Sequence, residues 1–378
     1  MVNRKIIGIF LMLCLIACSK IEKTGDLLKG LSAREKYQKE NDISDELFEL
    51  WNSQIDSALN DKIKISLPYR EIGGLMPRDF SVYSYEGYFL PGEIIKAKMQ
   101  TDSSETKIFI QLYKADENDP DNFQKIAQPD DDSPGLNHEI NEKGLYKIIF
   151  QPEIEAHTPF KLEIEKSPAY IFPVVNGRNE DIGSYFGDMR EGGKRDHKGL
   201  DIFAKKGTAV VAAVNGRIIR TGEEGLGGKQ VWLRDPKRHQ SLYYAHLDSI
   251  IPDLSRVKTG DTLGFVGNTG NAVNTPSHLH FRIYKRSRGA IDPIGFVYQT
   301  EHHNLGAQEQ GIIPPRVIVT GKTANFRNKP SNDNSRLLKT AKQGEKLKVL
   351  GKAEDWFHVR DSLNQSMFIH ESLVIPAD

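Results

Sequence analysis

Apolar positions change their rhythm along this chain, and each rhythm marks a different element. The first is an unbroken apolar run of twelve residues, Ile6–Ala17, behind the basic pair Arg4 and Lys5. It is too short to cross a bilayer as a helix and suits the hydrophobic stretch of an export signal. Next, Tyr37, Ile43, Leu47, Leu50, Trp51, Ile55 and Leu59 recur at helical spacing. They predict a helical segment over 32–61, a hairpin or one long helix, with a break near Asn41 and Asp42 and cap chemistry at Ser44 and Asp45. From Lys62 the period shortens to two. Residues 80–88, 93–99, 107–113, 145–150 and 160–165 alternate apolar with polar between turn-rich segments, which predicts a β-sandwich over 62–168. The acidic run Asp130–Asp132 falls in one such turn and reads as a solvated loop rather than a calcium site.

Pro168 and Pro173 mark the passage into a β-rich, glycine-dense region over 169–303. Within it, Asn215 and Gly216 between two apolar runs predict a two-residue hairpin turn. Residues 304–315 carry little apolar content and a Pro pair, and read as a linker. The last block, 316–378, predicts five short strands, at 317–319, 324–327, 346–350, 356–360 and 367–370. The expected fold class is therefore mainly β, with a helical segment, a sandwich, a β-rich third domain and a small barrel. A length of 378 residues requires such a division, since one core rarely serves more than ~250–300 residues.

Composition works by exclusion. Lys plus Arg equals Asp plus Glu at 51 each, so the chain lacks the basic excess of a dedicated nucleic-acid binder. The apolar run ends Leu15, Ile16, Ala17, Cys18, which resembles a bacterial lipobox; an ordinary N-terminal anchor helix is the alternative. Signals of that kind are cut before the cysteine, which is then acylated. Loss of residues 1–17 takes Cys14 with it and leaves the lipid-blocked Cys18, so no disulfide and no free thiol remains. Residues 18–31 then form a polar tether, with Ser19 resembling an outer-membrane sorting choice in a Gram-negative host.

Candidate chemistry gathers in the third region. His197 and Asp201 are four apart, but Gly199 and the β-type run after it predict a turn there, with Asp201 on a strand. His278 and His280 flank Leu279 in a strictly alternating run through Ile283. Residues i and i+2 of a strand share a face, so the two imidazoles project together while Leu279, Phe281 and Ile283 pack inward. His246 ends another β-like run. Two imidazoles, one carboxylate and a free position make the ligand count of a catalytic zinc site, and the same set serves non-haem iron. An exported chain without other redox residues favours zinc.

These groups, in this order, resemble the lysostaphin/LytM-type zinc metallopeptidases of peptidoglycan. Arg195–Ala204, Gly207–Ile218, Gly260–Gly264, Gly267–Asn271 and Pro276–Phe281 carry the likeness, over about 135 residues from Ala169 to His303. The resemblance implies that His197, Asp201 and His280 bind Zn2+, with His246 and His278 across from it as base and transition-state stabiliser. Residues 316–378 resemble bacterial SH3-like domains through Gly321–Arg327 and Gly344–Leu350, although Ser366 and Met367 replace that family's Gly-Trp pair. The function so implied is a zinc-dependent endopeptidase of peptidoglycan stem peptides or cross-links. It would be tethered in the cell envelope by lipid on Cys18, in the outer membrane facing the periplasm of a Gram-negative host. A wall-binding lipoprotein without activity, or an activator of another wall hydrolase, is the alternative, and envelope regulators stay unnamed.

Overall fold

The computed structural model describes residues 31–129, 133, 135–286, 288–300 and 313–377. The signal, Cys18, nearly all of the tether, Asp130–Asp132 and most of the linker lie outside the described residues. The chain is mainly β. Its helical segment is three short helices, Ala33–Glu40, Asp45–Asn52 and Gln54–Asn60. Ser32 closes a capping box with Glu35, Asp42 turns the chain at φ 51°, and the Ser44 side chain caps the second helix. The helices dock on the sandwich. Trp51 Nε1 donates to the Pro152 carbonyl at 2.9 Å, and the Tyr37 hydroxyl accepts from the Ile154 N–H at 2.9 Å.

One sandwich sheet runs Tyr83–Phe89, Gly144–Pro152, Ile108–Ala115, Phe123–Ala127. The other runs Tyr69–Leu75, Thr158–Pro168, Glu93–Thr101, Leu136–Glu139, and continues on its free side into Lys346–Ala353 of the C-terminal block. That junction is a shared core. Leu350, Ala353, Trp356 and Phe368 pack with Tyr83, Phe150 and Leu162. At its centre Glu71, fully buried, meets His358 Nδ1 at 3.0 Å and accepts from the Tyr69 and Tyr85 hydroxyls at 2.5 and 2.6 Å. Burial pushes the Glu71 carboxyl up, but His358 and the two hydroxyls prevail and hold it below its ordinary range.

The C-terminal block has seven strands where alternation predicts five. Leu337–Lys342 and Val374–Pro376 are the additions, one with a single buried residue and one only three residues long, so neither leaves a readable period. Tyr69–Leu75 also escapes the pattern. Its alternation is intact, but Glu71 and Gly73 occupy inward positions that ordinarily hold apolar side chains.

In the third region the main path of strands is Arg256–Val257, Gly216–Glu224, Gly228–Asp235, Gln240–Ile250, His278–Lys285, Leu200–Phe203, Ile182–Ser184. Asn215 and Gly216 do not form the expected hairpin. The strands on either side, Ala209–Val211 and Gly216–Glu224, pair with Thr262–Val266 and Gly228–Asp235 rather than with each other. Asn215 Oδ1 instead accepts from the backbone and hydroxyl of Thr259 at 2.7 and 3.0 Å, and Gly216 is needed because a Cβ there would meet the Arg234 carbonyl at 2.4 Å. Leu279, Phe281 and Ile283 are fully buried with Leu200, Ile202 and Tyr244, each of the three contributing roughly 1.5–3 kcal/mol of burial.

A seam fixes this region to the sandwich. Arg238 donates to both oxygens of Glu139 at 2.5 and 2.9 Å and to Asp235 at 3.0 Å. The Arg238 strand end lies beside Lys285, so the seam is at the far end of the strand from His278, roughly 23 Å away at 3.3 Å per residue.

Candidate metal centre

Backbone register sets this site. Asp201 pairs directly across from His280, and Phe203 across from His278. Opposed residues of an antiparallel pair project to one face, so the carboxylate and both imidazoles rise together while Ile202 and Leu279 point into the core. His197 reaches them from the bend just before the strand. Gly199 makes that bend possible, because a Cβ there would meet the Phe281 carbonyl at 2.4 Å.

Three potential ligand atoms converge as a result. His197 Nε2 is 3.0 Å from Asp201 Oδ1 and 3.1 Å from His280 Nδ1, and His280 Nδ1 is 2.5 Å from Asp201 Oδ1. All three residues are buried. The trio can hold a metal ion, and the surrounding hydrogen bonds fit that role. His197 Nδ1 faces the Tyr185 carbonyl at 2.8 Å, so this nitrogen carries the ring proton and Nε2 turns its lone pair inward. Arg190 donates to Asp201 Oδ2 at 2.6 Å, which engages the outer oxygen and leaves Oδ1 for the site. His280 is arranged for the metal-free state: Arg282 Nε donates to its Nε2, so the ring proton sits on Nδ1 and bonds Asp201. Ligation through Nδ1 leaves that proton on Nε2, which then no longer accepts from Arg282.

His246 and His278 stand beside the trio, their rings 5.0 Å apart between centroids, and His246 is 5.6 Å from His280. Both are built the same way. His246 Nδ1 lies 2.9 Å from the Thr269 carbonyl and His278 Nδ1 lies 2.8 Å from the Pro276 carbonyl. Each carbonyl requires a donor, so each Nε2 keeps its lone pair. His246 also has φ 63°, a conformation uncommon outside glycine and characteristic of strained functional positions. His278 Nε2 is 3.9 Å from Asp201 Oδ1, near the donor trio but outside it.

Burial sets the protonation of two of these rings, His246 and His280. It lowers the His246 and His280 imidazoles to about 4, aided at His246 by the neighbouring His278 and at His280 by Arg282. Burial pushes the Asp201 carboxyl the other way, but its contacts with His197 and His280 prevail and hold it far below its ordinary range. At neutral pH the Asp201 carboxylate therefore stands beside the neutral rings of His246 and His280.

All five residues singled out from sequence meet in one place. Sequence reasoning did not find Arg190 or Arg282. Arg190 reaches Asp201 through a two-residue ladder, Met189 against Asp196 and Arg190 against Arg195, which no hydrophobic period announces. Arg282 was visible as the next residue on the same strand face, two after His280.

With this geometry in place, the comparison with known proteins becomes informative. Residues 195–293 match the profile of peptidase family M23. That stretch, about a quarter of the chain, is similar to the M23 peptidases. The chain is 32% identical over 136 residues to an L-Ala–D-Glu endopeptidase of Bacillus subtilis, covering 33% of this chain and 41% of that protein. It is 38% identical over 87 residues to the DD-carboxypeptidase/endopeptidase Mpg of Neisseria meningitidis, covering 23% and 20%. The crystallised catalytic domain of lysostaphin from Staphylococcus simulans is 30% identical, covering 32% of this chain and 92% of that one, with a TM-score of 0.29. The chain spans about two fifths or less of the length of these two curated relatives.

The buried histidines predict a stability profile for the metal-free protein. Their folded pKa lies below the unfolded value of 6.5, so the unfolded chain binds more protons between pH 6.5 and about 4. Stability should be full above pH 6.5 and fall as pH drops through that window. Melting temperature followed from pH 7 to 5 should decline, and His246→Asn, which tolerates the positive φ, should flatten part of the slope. An unchanged slope in the variant would show that His246 is not buried as a neutral ring.

Proposed function

We propose that this protein is a zinc-dependent endopeptidase that hydrolyses amide bonds in the stem peptides or cross-links of peptidoglycan. The observation that carries the reading is the division of labour among four imidazoles. His197 and His280 direct one nitrogen each at Asp201, whereas His246 and His278 each spend Nδ1 on a backbone carbonyl and keep Nε2 open. The first group is a ligand set and the second a proton-handling pair. The relatives' names, an endopeptidase of the L-Ala–D-Glu bond and a DD-carboxypeptidase/endopeptidase, supply the substrate class.

Zinc held by His197 Nε2, Asp201 Oδ1 and His280 Nδ1 would supply Lewis acidity, activating water near neutral pH and polarising the scissile carbonyl. The protein does the rest. An Nε2 of His246 or His278 takes the proton of the attacking water and returns it to the leaving amine. Neutral rings at the working pH are what a base requires, and burial keeps His246 neutral. Arg190 fixes the Asp201 carboxylate so that only Oδ1 faces inward. Cys18 is proposed as a lipid anchor in the envelope, and 316–378 as an SH3-like wall-binding block fused to the sandwich core; the lipobox pattern and the Gly321–Arg327 motif support these two readings.

Two histidines of one strand test the assignment. His280→Ala removes a ligand, so the purified protein should carry little zinc and no peptidase activity. His278→Ala leaves the ligand set intact and should keep about one zinc per chain, with a rate lower by roughly 10²–10⁴. The checks are elemental analysis beside release of new amino ends from sacculi. Zinc lost from His278→Ala and kept by His280→Ala would reverse the roles, and full activity in both would move the site elsewhere.

The anchor has its own test. In cells, Cys18→Ser should abolish lipid labelling and shift the protein out of the washed membrane fraction. A wild-type protein without lipid would refute the anchor.

A further inference from the structure

On the site face of the motif strand, the next residue after His280 is a cation. Arg282 follows His280 by two positions, so its Cα lies about 6.6 Å further along the same face. Its stem packs against the bend, where a Cβ on Gly199 would come within 2.7 Å of Arg282 Cγ. Its head lies over the Tyr243 ring at 5.7 Å and donates to the Tyr284 hydroxyl at 3.1 Å and to His280 Nε2. Every one of these partners is uncharged.

The nearby carboxylates are engaged elsewhere. Asp201 Oδ2 is held by Arg190, and Glu224 pairs with Arg220. Among the described residues no carboxylate pairs with Arg282. The half-buried guanidinium is held by neutral groups and has no counter-charge in contact among the described residues. One of its present contacts would also be lost on metal binding, because a His280 ring ligating through Nδ1 would carry its proton on Nε2 and could not accept from Arg282 Nε. The loaded site would then hold a divalent ion, Arg190 and Arg282 against two carboxylates, Asp201 and, behind His197, Asp188. Such a site favours an anion.

We propose that Arg282 is a carboxylate receptor that selects acidic peptides, those with a free carboxylate within one or two residues of the scissile amide. The assignment rests on the peptidase reading for the identity of the substrate, but the receptor is defined by its own geometry. A planar guanidinium takes a carboxylate through two parallel hydrogen bonds, and the Tyr243 face beneath it keeps the fork oriented. Amidation of that carboxylate removes the charge while preserving size, so this receptor distinguishes the two forms of an otherwise identical peptide.

The test uses the zinc-loaded full chain and two probes: a stem pentapeptide with a free glutamate α-carboxylate and the same peptide with that carboxylate amidated. Binding is read by calorimetry and cleavage by the appearance of new amino ends. Wild type should bind the acid form at least about tenfold more tightly than the amide, the scale of one charge-assisted hydrogen bond. Arg282→Gln should bind the two forms alike, and Arg282→Lys should restore part of the preference. Zinc content and the melting curve of each variant show whether the site and fold survive. If Arg282→Gln fails to fold, Arg282→Lys carries the comparison, and a preference equal to that of wild type in that variant counts against the receptor. Equal binding of both forms by wild type, or an undiminished preference in a folded Arg282→Gln, overturns the proposal. Preferential binding without cleavage of sacculi or either probe would leave the receptor standing and remove the peptidase reading.

Discussion

The site depends on one register. Asp201 opposite His280, in an antiparallel pair whose other face is Ile202 against Leu279 and Leu200 against Phe281, ties ligand placement to core packing. A slip of one residue would exchange the faces, sending the imidazoles into the core and the leucine and phenylalanine to the surface. The hydrophobic effect thus enforces the geometry of the polar face, and three fully buried side chains on the motif strand hold His278 and His280 in line.

A second layer of constraint works through the backbone. Buried imidazoles with one committed nitrogen have one defined tautomer, and carbonyls commit three of them: Tyr185 for His197, Thr269 for His246 and Pro276 for His278. These carbonyls belong to loops, and the loops are held by close approach. Gly228 and Gly270, both at positive φ, pack so tightly that a Cβ on either would fall within 2.4 Å of the other's backbone nitrogen. That contact steadies the loop carrying Thr269, and through it the ring of His246. Around this cluster the two arginines differ, one bonded to Asp201 and one held by neutral partners.

Much of this was legible beforehand, because the informative residues obey short-range rules. Alternation at 278–283 announced a strand with both histidines on one side, and Gly199 announced a bend between His197 and Asp201. Helical spacing with Ser44 located the break after Asn41. What escaped notice was long-range. Arg190 has no local signature and reaches Asp201 only through the ladder of Met189 to Asp196. Asn215 and Gly216 carry a hairpin signature but serve a contact with Thr259, since tertiary pairing outweighed turn preference there. Glu71 and His358, 287 positions apart, build the junction of sandwich and C-terminal block, a pairing that no window of sequence shows.

The central claim is that two imidazoles and one carboxylate of this cluster are the ligands of a single zinc ion. X-ray absorption on the zinc-loaded full chain tests it most directly. The account predicts one ion per chain with two imidazole nitrogens and light oxygen donors at about 2.0–2.2 Å, and loss of one imidazole from that shell in His197→Ala. A shell unchanged by His197→Ala, or a chain that takes up no zinc, would contradict it.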